Sequence, residues 1–180
     1  MTIDIFTDGA CSGNQFENNT GGWGVVLRYK GLTKEIHGGE KNTTNNRMEL
    51  LALISALKAL KKKQQNIRVF SDSAYVTNGL RNKWYEKWLI NGWKTADKKP
   101  VENKELWEEL ISLLSGHHVE FYLVKGHVSP SASERLLQSA FARFAKNNGG
   151  HFNIEEFVSI LEGNNRADAL ANLGTLGAKA

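Results

Sequence analysis

Apolar residues change their spacing several times along this chain, and each change marks an element. Residues 2–8 form a β-prone run ending in Thr7-Asp8-Gly9, which predicts a first strand. A polar loop from Ser12 to Thr20, rich in Asn and Gly, separates it from a second strand at Gly21–Tyr29. Lys30-Gly31 then turns the chain into a third strand at about 32–39. Thr43-Thr44-Asn45-Asn46 supplies capping residues for a helix whose Leu50, Leu53, Ile54, Leu57 and Leu60 fall at helical spacing. Lys61-Lys62-Lys63 suits its C-terminal end. A fourth strand at 67–71 follows, then helical segments near 73–81 and 83–90, a break at Gly92 and a helix over about 103–115. His118–Val124 is the fifth strand.

From Ser129 the pattern is helical. Ser131–Lys146 is amphipathic, Asn147-Asn148-Gly149-Gly150 reads as a turn, and Ile154–Leu161 reads as a second helix. Beyond Gly163, Asn164-Asn165 reads as the cap of a last helix to about 173, with a Gly- and Ala-rich end expected to fray. Three antiparallel strands leading into a βαβ unit predict an α/β fold, a five-stranded mixed sheet flanked by helices. With 180 residues this is one domain, carrying an inserted helical hairpin at about 129–163.

Composition narrows the class only slightly. A net charge of +4 and a pI near 9.1 lean toward an anionic partner. The single cysteine, Cys11, excludes a disulfide framework, and no Cys/His spacing suits zinc. No apolar run is long enough to span a bilayer and no leader is seen, so a soluble cytoplasmic protein is expected.

The chemistry starts from a repeated phrase. Ile5-Phe6-Thr7-Asp8-Gly9-Ala10 and Val69-Phe70-Ser71-Asp72-Ser73-Ala74 each carry an aspartate to the C-terminal end of a strand, where open α/β sheets hold their sites. If those strands are parallel neighbours, Asp8 and Asp72 face each other, which is costly without a cation or proton between them. Either aspartate alone also reads as a turn or cap residue. Glu49 lies near the edge of the apolar arc of its helix, and Asp168 lies in the first turn expected for the last helix; each alone also reads as an N-terminal helix acid. Four such acids brought together would suit Mg²⁺ and a nuclease-type reaction.

Five blocks, in chain order, strengthen that reading: Thr7-Asp8-Gly9-Ala10, Thr44-Asn45-Asn46-Arg47-Met48-Glu49-Leu50, Ser71-Asp72-Ser73, Lys125-Gly126-His127, and Asn164 with Arg166-Ala167-Asp168 and Leu170-Ala171. Together they resemble type 1 ribonuclease H, over residues 1–128 and 164–173. The resemblance implies a ribonuclease H-like fold and hydrolysis of the RNA strand of RNA–DNA hybrids to 5′-phosphate and 3′-hydroxyl ends. It implies Asp8, Glu49, Asp72 and Asp168 as ligands of two Mg²⁺ ions, with Mn²⁺ as a substitute, and His127 as an assistant in proton transfer or product release. Asn14, Asn45 and Asn46, with backbone around Cys11–Gly13, match positions that touch 2′-hydroxyls. Thr44 and Asn103 match a DNA-phosphate pocket whose usual basic residue falls at Asn42, so that either the pocket is weakened or Lys41 substitutes. A frequent Gln of the family is Ala74 here.

The segment from Trp84 to Pro100 resembles the family's basic protrusion, and interleaved Trp and Lys suit a DNA backbone. Trp84 and Trp88 are also spaced to pack that helix onto the body, and Trp88 and Trp93 are the better contact candidates. A monomer without an obligate protein partner is expected. The alternative is a hybrid-binding module that no longer cleaves; a recombinase or transposase of similar fold is disfavoured by the Asn45–Glu49 block.

The segment between His127 and Asp168 departs from the family. Residues 141–157 echo an EF-hand, with Gly150 at the sharp turn and Glu156 at the bidentate position, but Ala145 and Gly149 occupy ligand positions. Ca²⁺ binding is therefore not expected. A packed helical pair bordering the cleft is expected instead, one that restricts the His127 loop or extends the binding surface through Arg135, Arg143 and Lys146.

Overall fold

The computed structural model describes residues 1–13 and 18–180. Five strands, β1 (Thr2–Ser12), β2 (Thr20–Tyr29), β3 (Leu32–Lys41), β4 (Asn66–Ser71) and β5 (His118–Leu123), form one sheet in the order β3-β2-β1-β4-β5. β1–β2 and β2–β3 are antiparallel, while β1–β4 and β4–β5 are parallel. Among the described residues six helices complete the fold: α1 (Asn45–Lys58), α2 (Ala74–Arg81), α3 (Trp84–Asn91), α4 (Lys104–Leu114), α5 (Glu134–Asn148) and α6 (Ile154–Lys179).

Strand side chains alternate between two faces, so the sheet carries two cores. Ile3, Ile5, Val25, Leu27, Ile67 and Val69 face α1, α2 and α4, with Leu53, Leu80, Trp107 and Leu110 in the same cluster. Trp107 is fully buried, and its indole N–H donates to the Tyr75 hydroxyl at 2.8 Å. The other face is aromatic: Phe6 stacks on Phe70 at 5.0 Å and Phe70 on Tyr122 at 5.3 Å. Phe144 of α5, Phe157 of α6 and Phe152 from the link between the two helices close over these rings. At the rim of that face, Arg68 pairs with both oxygens of Asp4 at 2.7 Å and reaches Glu156 at 3.3 Å.

Two expectations need correction. The hairpin's second helix and the last helix are one continuous 26-residue helix, α6. Gly163 does not break it, because the space of a Cβ there is filled by the Phe6 ring, 2.6 Å away; that glycine is needed for close approach. The C-terminal end does not fray from Gly174 either, since α6 runs to Lys179 with Gly174 and Thr175 buried.

The EF-hand-like stretch is spent on structure. The Asn148 side chain caps the free edge of β5 as a strand partner would. Its oxygen accepts from Leu123 N–H at 2.8 Å, and its amide donates to the carbonyls of Leu123 (2.7 Å) and Phe144 (2.9 Å). Asn153 caps α6 through Glu156 N–H, and Glu156 pairs with Arg68. Among the described residues, no cation-binding cluster of His, Cys, Asp or Glu includes this loop.

Asn148→Ala leaves the Leu123 amide and carbonyl without these partners. It should lower unfolding free energy by on the order of 2 kcal/mol, read from urea midpoints at unchanged slope.

Candidate active site

Parallel pairing of Thr7 with Ser71 brings Asp8 and Asp72 level at the end of β4. Asp8 accepts from Gly9 N–H at 2.9 Å, while beside Asp72 the neighbouring residues take the local capping roles. At Asp72, the Ser71 hydroxyl accepts from Ser73 N–H at 3.0 Å, and Ser73 caps α2 by accepting from Val76 N–H at 3.2 Å. Thr44 caps α1 by accepting from Arg47 N–H at 3.1 Å. The cap readings of Asp72 and Glu49 are thus taken up by neighbouring hydroxyls.

Two glycines seat the helices that bring the other acids. A Cβ on Gly9 would lie 2.5 Å from the backbone nitrogen of Glu49, so α1 crosses β1 at the residue after Asp8. Gly24 is the cross-strand partner of Asp8, and a Cβ there would lie 2.3 Å from the Ala167 carbonyl. Helix α6 therefore touches the sheet at the residue before Asp168. Asp168 stands in the middle of α6, not in its first turn as expected, and Glu49 lies beyond the first turn of α1. Arg166 anchors the same stretch to β3 by pairing with both oxygens of Glu35 (2.5 and 3.1 Å).

Ligand atoms of Asp8, Glu49 and Asp72 all lie within 4.8 Å of one another. Burial, then the charge of Asp72 and the proximity of Asp168, push the Asp8 carboxyl up to about 9. Glu49 is only 8% exposed and is raised well above its ordinary range by burial, then by Asp72 and Asp8. Burial also raises Asp72, opposed by a hydrogen bond from Asp8 and by the charge of exposed His127. These groups titrate together, with protons shared among them. Glu49 Oε2 is the one buried side-chain polar atom without a hydrogen-bond partner among the described residues. Hard carboxylate oxygens, mutual repulsion and an unpartnered buried oxygen fit a divalent cation.

The expected substrate residues are distributed differently. Asn45 and Asn46 are exposed at the head of α1, beside its cap Thr44. Asn14 lies outside the described residues. Asn103 precedes α4 in a left-handed conformation (φ +59°), its side chain not capping the helix. Trp88 is half-buried, 5.3 Å from Trp107 and 5.6 Å from Trp93, so both packing and surface roles are open to it. The most exposed apolar side chains of α3 are instead Leu89 and Ile90, the latter 89% exposed. Asn42 accepts from Asn18 N–H at 2.9 Å, and Lys41 and Lys179 line a cavity of about 270 Å³ beside it.

Asn19 is a site-supporting residue that sequence reading missed. Buried, it binds Thr43 twice, through Thr43 N–H (2.8 Å) and carbonyl (2.9 Å), and so fixes the approach to α1. Glu40, accepting from Thr43 and Arg47, reinforces it. A lone Asn in a polar loop carries no signal of such a role.

A family model described as RNase H matches residues 1–140. Ribonuclease H of Bradyrhizobium sp. (strain ORS 278) is 51% identical over 150 residues, covering 81% of this chain and 94% of that protein. Ribonuclease H of Rhizobium johnstonii is 56% identical over 133 residues, covering 74% of this chain and 85% of that protein. Among solved structures, LC9-RNase H1, a type 1 RNase H with the type 2 active-site motif, is similar with a TM-score of 0.63 and 29% identity, over 91% of this chain and 84% of that one. LC11-RNase H1, solved with an RNA/DNA hybrid, shares the fold at a TM-score of 0.61 and 21% identity, over 99% of each chain.

The carboxylate cluster makes stability depend on pH. Because the Asp8 carboxyl rises from 3.8 to about 9 on folding, the folded protein holds more protons than the unfolded chain between those values. Stability therefore falls as pH rises through that window. In chelator, Asp8→Asn should flatten the fall and leave the protein more stable at pH 8 by on the order of 2 kcal/mol. Thermal melts from pH 5 to 9 check this; parallel curves for the two proteins would contradict it.

Proposed function

This chain belongs to the ribonuclease H family, and from that premise we propose that Asp8, Glu49, Asp72 and Asp168 form the centre at which it works. It is a nuclease that hydrolyses the RNA strand of RNA–DNA hybrids. The observation that carries the assignment of the centre is the packing of three carboxylates within 4.8 Å, with Asp168 beside Asp8. In this reading the four acids hold two Mg²⁺ ions, with Mn²⁺ as a substitute, and Glu49 Oε2 gains the partner it lacks. Bound there, the ions supply an activated water and charge stabilisation at the scissile phosphate.

The chain's own groups set the rest. Gly9 and Gly24 hold Glu49 and Asp168 against Asp8, which keeps the centre assembled before substrate arrives. A water attacks phosphorus in line and loses a proton; the bond from phosphorus to the 3′ oxygen breaks, and that oxygen takes up a proton. His127, exposed and facing Asp72, is suited to hold a proton during this exchange. The products carry 5′-phosphate and 3′-hydroxyl ends.

Substrate discrimination is assigned to Asn14, Asn45 and Asn46, whose amides suit 2′-hydroxyls. Thr44, Asn103 and Lys41 take a DNA phosphate, and Trp88 and Trp93 support the DNA strand beyond it. Residues 129–163 are read as an addition to a single domain spanning 1–180. Among the described residues no helix is long and apolar enough to cross a membrane, and a cytoplasmic monomer is proposed. A non-cleaving hybrid binder is not favoured, because all four acids and His127 are present.

Asp8→Asn and Asp72→Asn should each lower Mg²⁺-dependent cleavage of a labelled hybrid by on the order of 1000-fold while the fold survives. Duplex DNA should resist the wild type, and chelator should stop hybrid cleavage. Near-normal activity in either variant would sink the assignment.

A further inference from the structure

His127 sits on a stretch with little to hold it. β5 makes its last ladder contact when Val124 N–H donates to the Ser71 carbonyl at 2.9 Å, and regular structure resumes only at the α5 cap, Ser133. Within the stretch the hydrogen bonds are local, joining Ser129 to Ser131 and Ala132. Gly126 has a φ of +84°, and a Cβ there would meet nothing within 4 Å. Among the described residues, one hydrogen bond ties 125–132 to another element. Asn165 Nδ2 of α6 donates to the Val128 carbonyl at 3.2 Å. The Val128 side chain packs on the aromatic core beneath.

Asn165 lies three residues before Asp168 in the same helix. Residues at that spacing share a helix face, about one turn apart. A single face of α6 thus presents the Asp168 carboxylate to the cluster and an amide to the loop that carries His127. Asn inside a helix is unfavourable by propensity, so its use here calls for a contact that offsets the cost. Expected from the sequence as a helix cap, Asn165 is instead well inside α6 and half-buried.

We propose that Asn165 is a positioning residue, whose side-chain amide docks the His127 loop onto α6 and fixes where His127 stands relative to Asp72 and Asp168. The proposal rests on the reading that His127 assists the reaction. It requires the donor N–H of residue 165, not its size. Leucine matches the shape of asparagine without the donor, and glutamine keeps the donor on a longer arm.

Asn165→Leu should increase fast backbone motion of residues 126–129 in ¹⁵N relaxation. It should lower kcat by about fivefold, the equivalent of one neutral hydrogen bond, with KM for hybrid unchanged. Asn165→Gln should recover most of kcat, which also serves if the leucine variant folds poorly. In a His127→Ala background, Asn165→Leu should cost nothing further. Unchanged loop motion overturns the proposal, and so does a kcat loss that persists in full without His127. If His127→Ala alone costs nothing while Asn165→Leu still loosens the loop, the docking contact stands and the role given to His127 falls.

Discussion

Like charges are forced together in a place where water cannot screen them, and the rest of this structure is arranged to hold them there. Asp8, Glu49 and Asp72 approach within 4.8 Å, two of them buried. At neutral pH such a group is unfavourable unless a proton or cation is shared among its members. The fold accepts that cost because both helices that bring acids to Asp8 are seated by backbone contact. Gly9 and Gly24 admit α1 and α6 where any side chain would keep them away.

The second sheet face explains how α6 stays in place. Stacked Phe6, Phe70 and Tyr122 are covered by Phe144, Phe152 and Phe157. Apolar burial of this kind, near 25 cal/mol per Å², is the term large enough to oppose repulsion among carboxylates. Arg166 with Glu35 then fixes the helix against β3, two residues before Asp168. Helix α5 closes the far side of the same core and, through Asn148, protects the β5 edge from other strands. The stretch between β5 and α5, by contrast, is lightly restrained.

Much of this was legible in the sequence, for identifiable reasons. Ser71-Asp72-Ser73 encodes a strand end, a carboxylate and a helix cap, and does that work; Thr7-Asp8-Gly9 does not end its strand but sets its carboxylate where the pairing of β1 with β4 stops. The five strands read correctly because alternation and turn residues are local signals; β1 alone runs on well beyond its expected end, to Ser12, where it still pairs with Thr20. Reading failed where a glycine served packing instead of turning. At Gly163 a break was expected, but the Phe6 ring occupies the side-chain space and the helix continues. It failed also for Asn19 and Asn165, whose partners Thr43 and Val128 are distant in sequence. No local pattern encodes such contacts. The EF-hand echo lacks several ligands, and its surviving Asn148 and Glu156 serve structural bonds.

A cation bound among the crowded carboxylates would displace the protons they share. Calorimetric titration of the metal-free protein with Mg²⁺ at pH 7.5, repeated in buffers of different ionisation heat, measures it directly. Saturable binding with release of protons to the buffer is expected, and loss of both in Glu49→Gln. Binding that releases no protons, or that persists undiminished in Glu49→Gln, would contradict it.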